Sequence, residues 1–138
     1  MFDISSSALD RANARLGDAA NSIAWAVADV TRWDPTRPYD VWHDSAAFQF
    51  LVQPEQRAAY RKVMAEGLAP GGLVLVATFA LDGPERCSGL QVEQYDADKL
   101  AGELGPSLEL IKAWREEHVT PWGATRALTW CAFRACDI

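Results

Sequence analysis

The side chains in this sequence best suited to chemistry are few, and several stand at the ends of apolar runs. Asp29 ends Ile23-Ala24-Trp25-Ala26-Val27-Ala28, Asp44 ends Tyr39-Asp40-Val41-Trp42-His43, and Asp3 lies in the short extended stretch Phe2-Asp3-Ile4. A carboxylate at the end of a strand can accept hydrogen bonds from the hydroxyl or amino groups of a bound molecule. His43 and His118 are the two histidines, and imidazole is the side chain whose ordinary titration falls near neutral pH. Each has a plain structural reading as well. Asp3 suits the start of the helix that follows, where the helix dipole favours a negative charge. Asp29 suits a simple strand end, His43 a satisfied structural histidine, and His118 a hairpin residue. A metal site built on two histidines would need carboxylates scattered along the chain, which argues against a metal. Cys87, Cys131 and Cys136 are odd in number and form no CxxC pair, so they read as reduced thiols. No histidine lies near Cys87 in sequence, and it reads as inert.

The elements that must position these residues alternate. Residues 5–16 carry Ala8, Leu9, Ala12 and Leu16 at near-helical spacing, with serines as N-cap candidates and Gly17 as the stop. The runs at 23–28 and 39–43 read as strands, separated by a loop with Pro35 and Pro38. Pro54 opens a helix over 54–68 with Ala58, Tyr60, Val63, Met64 and Leu68 as its buried stripe. After the punctuation Ala69-Pro70-Gly71-Gly72, the apolar run 73–80 reads as a strand buried on both faces of a parallel sheet. Residues 81–90 read as a surface loop and 96–104 as a short helix. The strand-like stretches 108–118 and 125–134 are joined closely enough for an antiparallel hairpin. The expected architecture is therefore α/β, a mostly parallel sheet ending in an antiparallel hairpin. Trp25, Trp42, Trp114 and Trp130 belong to its core or sheet faces. Trp33 and Trp122 fall in loops, where they could line a pocket.

The chain has 138 residues, 49% of them hydrophobic and six of them Trp, enough for the core of one domain. Its 13 Lys and Arg against 19 Asp and Glu leave a net charge of -6, which argues against nucleic acid as a partner. No window approaches 18 consecutive apolar residues, so no membrane span is expected. The N-terminus MFDISSSALDRANARLG lacks the regions of a signal peptide, which places the chain in the cytoplasm.

Taken in order, several segments resemble the class I S-adenosylmethionine (SAM) dependent methyltransferases, especially a bacterial group of small soluble members. They are Phe2-Asp3-Ile4-Ser5, Val27-Ala28-Asp29-Val30-Thr31-Arg32-Trp33, Tyr39-Asp40-Val41-Trp42-His43-Asp44, Leu68-Ala69-Pro70-Gly71-Gly72 and Thr78-Phe79. Two more are Asp82-Gly83-Pro84-Glu85-Arg86-Cys87-Ser88-Gly89-Leu90 and His118-Val119-Thr120-Pro121-Trp122-Gly123. Together they cover nearly the whole chain. The resemblance implies a Rossmann-like fold with S-adenosyl-L-methionine as cofactor, lying across the carboxyl ends of the first strands. It gives Asp3, with the adjoining Ile4, the ribose hydroxyls, Asp29 the adenine amino group, and the Val30 N–H the adenine ring. His43 and Asp44 would stand near the methionine moiety, His43 as the first candidate for a base and Asp44 as the second. Phe48 would wall the acceptor pocket and His118 would contribute to it. The partner implied is a small-molecule methyl acceptor.

The resemblance also has gaps. Family members carry a glycine-rich loop after their first strand, and strand, loop and helix would take on the order of 30 residues. Gly71-Gly72 fits a later family turn instead. The expectation is therefore a single incomplete methyltransferase domain over 1–138, without the N-terminal strand that is normally central, between the Asp3 strand and the Tyr39 strand. Three origins compete: a start codon placed late, a missing part supplied by another chain, or a shortened protein that no longer catalyses. The first is favoured, because Met1 sits where a residue of the second strand should be. Two sheet edges would then be open to self-association. The group also carries arginine where this chain has Ser45 and histidine where it has Gln49.

Overall fold

In the computed structural model, which describes residues 1–136, helices cover one face of a four-stranded sheet, and two further sheets have two strands each. In chain order the elements are β1 (Phe2–Asp3), α1 (Ser6–Leu16), β2 (Ala26–Val27), β3 (Tyr39–Ser45), α2 (Pro54–Gly67) and β4 (Leu68–Phe79). They continue with β5 (Arg86–Cys87), β6 (Leu90–Gln91), α3 (Ala97–Leu104), β7 (Leu108–Val119) and β8 (Thr125–Ala135). Short 3-10 turns occupy Gly17–Ser22 and Phe48–Phe50.

The helices begin and end where their caps dictate. Ser5 accepts from the Ala8 N–H at 3.2 Å to start α1, and Asp96 accepts from the Lys99 N–H at 2.8 Å to start α3. Gly17 takes φ +58 to stop α1. Along α2 the buried residues are Tyr60, Val63, Met64 and Gly67, whereas Ala58, expected in that stripe, faces solvent.

The main sheet has the order β3-β4-β8-β7. β3 and β4 are parallel, and β8 is antiparallel to both β4 and β7, so β8 alone runs against the other three. The C-terminal hairpin is as expected, its turn closed by the Thr120 N–H donating to the Ala124 carbonyl at 2.8 Å. Two expected boundaries move. The strand expected over 23–28 shortens to Ala26–Val27, because the Trp25 indole turns back to the Ala20 carbonyl at 3.1 Å. β4 starts at Leu68, five residues early, and residues 69–72 form an excursion between the Tyr39–Leu68 and Val41–Leu73 pairs. Gly72 is needed there, since a Cβ would stand 2.9 Å from the Ala69 carbonyl oxygen. Within the expected loop 81–90, β5 and β6 form a small hairpin around Ser88 and Gly89, both with positive φ.

Alternation along the strands separates two faces. Trp42, Val74, Val76, Cys131 and Phe133 point to α2 and α3, where they meet Tyr60, Val63, Met64, Leu100 and Leu104 in the main core. The opposite face carries Val41, His43, Leu75, Trp130 and Trp114, with His43 paired to Leu75 and Trp130 to Trp114. Val41 is 51% exposed and Trp114 39%. β1 and β2 pair in parallel, Asp3 opposite Val27. Among the described residues no strand joins β1 to β3.

Candidate functional site

The carboxyl ends of the parallel strands gather most of the residues singled out by sequence. Asp3 closes β1, and its carbonyl accepts from the Ala28 N–H at 2.9 Å, which ties the start of the Asp29 turn to the end of β1. Asp3 Oδ1 accepts from the Ser5 N–H at 2.8 Å, so the carboxylate is held at the entry to α1. Ile4, between them, is 73% exposed and free of the core. Asp29 Oδ1 accepts both the Thr31 N–H at 2.9 Å and the Thr31 hydroxyl at 2.7 Å. These two bonds, the hydroxyl's first, hold Asp29 below the ordinary carboxylate range. Val30, between them in sequence, sets its half-buried side chain against the main core. Each hydrogen bond found to the Asp3 and Asp29 carboxylates among the described residues is accepted by Oδ1. The two Oδ2 atoms stand at the ends of adjacent parallel strands.

At the end of β3, His43 and Asp44 point to opposite faces of the sheet. His43 is exposed, and its ring stacks on Trp130 at 5.9 Å with 8° between planes. Asp44 is buried among hydrogen-bond donors. Its Oδ1 accepts from Ala47 N–H at 2.8 Å, and its Oδ2 from Phe48 N–H at 3.1 Å and from the Tyr60 hydroxyl at 2.6 Å. The Tyr60 oxygen in turn accepts from the Trp42 indole at 2.9 Å. Burial raises the Asp44 pKa, and these donors oppose the rise. Burial likewise drives the Tyr60 hydroxyl well above its ordinary range, so it stays a donor.

Two expected acceptor residues lie elsewhere. Phe48 is fully buried, with its ring 4.7 Å from Tyr60 and 5.5 Å from Tyr95, and does not reach an open pocket. The cause is the Asp44 carboxylate, which folds the chain after β3 back into the core. His118 is exposed near the end of β7, opposite Arg126. β7 and β3 are the two outer strands of the sheet, roughly 14 Å apart at ~4.8 Å per strand, so His118 and His43 do not share a site.

Sequence reasoning placed Tyr60 only in a core stripe, and missed its hydroxyl's part in holding Asp44. It also missed Gln49, whose buried Oε1 accepts from the Phe79 N–H at 2.7 Å. The spacing Trp42-x-Asp44, which puts both side chains on the α2 face, is the signal that could have found the first. Among the cysteines, burial pushes the Cys131 thiol up to about 11, consistent with an inert core thiol. Among the described residues no group of three His, Cys, Asp or Glu side chains could hold a metal ion.

A parallel run of strands ending on acidic residues, followed by a reversed strand slotted between β4 and β7, is the class I methyltransferase fold. The N-methyltransferase NodS of Bradyrhizobium japonicum WM9 superposes on 99% of this chain and 72% of its own, with a TM-score of 0.75 at 16% identity. The Burkholderia thailandensis 1,6-didemethyltoxoflavin-N1-methyltransferase, solved with bound 1,6-didemethyltoxoflavin and S-adenosylhomocysteine, superposes on 99% of this chain and 60% of its own. Its TM-score is 0.73 at 18% identity. In sequence, thiocyanate methyltransferase 1 of Arabidopsis thaliana is 35% identical over 82 residues, which is 58% of this chain. That match spans 36% of the plant protein. No protein-family model matches the chain, and no helix among the described residues is long and apolar enough to cross a membrane.

Proposed function

We propose that this chain acts in SAM-dependent methyl transfer to a small molecule, binding the adenosine half of the cofactor with Asp3 and Asp29. The observation that carries the reading is the pairing of β1 with β2, which sets two carboxylates at neighbouring strand ends, each anchored through Oδ1. The anchored oxygens fix the orientation, and the Oδ2 atoms serve the ribose hydroxyls at Asp3 and the adenine amino group at Asp29. The exposed Ile4 and the half-buried Val30 flank the same end. When bound, SAM supplies a methyl group on a positively charged sulfur. The protein's part is then to align the acceptor and exclude water. His43, exposed at the end of β3, is positioned to take a proton from an acceptor that must lose one. Asp44, buried and holding three donors, anchors the turn beside it. The NodS, toxoflavin and thiocyanate enzymes support a small-molecule acceptor, and a cytoplasmic location suits that chemistry. The test is isothermal calorimetry of the chain with S-adenosylhomocysteine. Binding is expected, and Asp29→Ala should weaken it at least tenfold; no binding heat from the unaltered chain would overturn the reading.

A second reading, association between copies, is favoured by the β3 edge. The other edge strand, β7, is guarded by Lys112, Arg115, Glu116 and Glu117 and by an irregularity between Leu110 and Lys112. β3 has Asp40 and an irregularity between Tyr39 and Val41 at its start, and beyond them presents Val41 and His43 beside an edge that pairs with no strand among the described residues. Light scattering that finds a monomer at every concentration would dismiss this reading.

A further inference from the structure

The chain after β3 makes an uncommon turn. Ala46 adopts φ +66, a left-handed conformation that costs an alanine roughly 1–2 kcal/mol. The turn is held at three backbone donors: the Ala46 N–H reaches the Ala77 carbonyl at 2.9 Å, and the Ala47 and Phe48 N–H groups reach the two oxygens of Asp44. Ser45 and Ala47 face solvent next to His43, whereas everything that fixes them lies beneath. That support ends in one buried chain running from the Trp42 indole to the Tyr60 hydroxyl to the Asp44 carboxylate. Trp42 and Asp44 are two residues apart on the α2 face of β3, and Tyr60 reaches between them from the middle of α2. Its ring is fixed by Trp42, edge-on at 5.5 Å, and by Phe48. The phenol therefore has one orientation available, with the hydrogen aimed at Asp44.

We infer that Tyr60, backed by Trp42, is a positioning residue: it orients the Asp44 carboxylate and so sets the backbone of residues 45–47, the rim of the acceptor side beside His43. The link to methyl transfer rests on the function proposed above; the hydrogen-bond chain itself does not. A buried carboxylate with one donor removed re-orients or recruits water, and its remaining bonds to the turn loosen. Removing only the phenol oxygen leaves the ring packing intact, so the effect should be local.

The test is Tyr60→Phe in the whole chain, read by amide hydrogen exchange at single-residue resolution. Exchange at Ala47 and Phe48 is expected to quicken at least tenfold while the amides of β4 and β8 keep their protection. Asp44→Asn is the companion variant. If Tyr60 acts through Asp44, adding Tyr60→Phe to Asp44→Asn should change the turn amides less than twofold further. Unchanged turn amides in Tyr60→Phe overturn the inference, as does uniform quickening throughout the sheet, which would mark Tyr60 as core packing alone. A full additional effect of Tyr60→Phe in the Asp44→Asn background also overturns it. Failure of the unaltered chain to bind S-adenosylhomocysteine counts against the proposed function and leaves the exchange result to decide the positioning role.

Discussion

The imidazole of His43 and the indole of Trp130 lie nearly parallel, 5.9 Å between ring centres, although β4 runs between their strands. They meet because the β4 residue opposite Trp130 is Ala77, too small to separate them. The stack continues outward, with Trp130 lying 5.7 Å from Trp114 at 2° between planes and the Lys112 ammonium over Trp114. Trp130 also donates its indole N–H to Glu116 at 3.1 Å. The residue assigned to the acceptor side thus takes its orientation from the far half of the sheet.

Trp130→Ala should therefore destabilise the fold by roughly 2–4 kcal/mol, below the full cost of a buried tryptophan because the ring is only half-buried. His43→Ala should cost less than about 1 kcal/mol, since His43 is exposed and ends the stack. Urea unfolding followed by circular dichroism checks both values.

Asp29 and Asp44 should give stability opposite dependences on pH. Burial raises Asp44 in the folded state, so its contribution is fully present below the unfolded value of about 4 and is lost as pH rises toward the raised value. Thr31 lowers Asp29, so its contribution is present above about 4 and is lost as pH falls through the lowered value. In unfolding measurements from pH 3 to pH 7, Asp44→Asn should remove a component that declines with pH. Asp29→Asn should remove one that rises.

Gln49 stands where the resembling group carries histidine, and its work here is structural. Its side-chain oxygen satisfies the Phe79 N–H, and its carbonyl accepts from the Glu93 N–H at 2.8 Å, joining the turn after β3 to the end of β4 and the segment before α3. Gln49→Leu keeps the volume and leaves the Phe79 N–H without its partner, at a cost of about 1–3 kcal/mol. Thermal unfolding should show the loss, and the Phe79 amide should lose exchange protection.

What was legible in the sequence was mostly local. The serines before Ala8 and Gly17 marked the ends of the first helix because capping depends on residues three or four apart, and the hairpin after Leu108 was marked by the short join between two strand-like runs. Asp3 and Asp29 were readable as a pair because each ends a strand. What failed depended on the direction a side chain takes and on how strands pair, neither of which a local pattern gives. The length of β2 depends on Trp25 bonding to Ala20, and the start of β4 on how residues 69–72 leave the β3 register. Phe48 looked like a pocket wall by its place after Asp44, and only the direction of the Asp44 carboxylate shows that it turns inward. His118 and His43 could be placed apart only once the order β3-β4-β8-β7 was known.

The uncovered side of β3 leads to the last prediction. Val41 is 51% exposed on the edge strand β3, on the apolar side of the sheet and in register with Leu73 on β4. A strand with an unpaired edge and an apolar face can add a second copy along that edge and bury both surfaces together. A lysine at this position keeps the strand and places a charge where the two copies would meet. Val41→Lys should shift sedimentation-velocity profiles toward monomer at concentrations where the unaltered chain associates, with little change in unfolding midpoint. A lysine placed on the guarded edge, Ala113→Lys on β7, should leave the profile as it was. If the two variants behave alike, association does not run through β3.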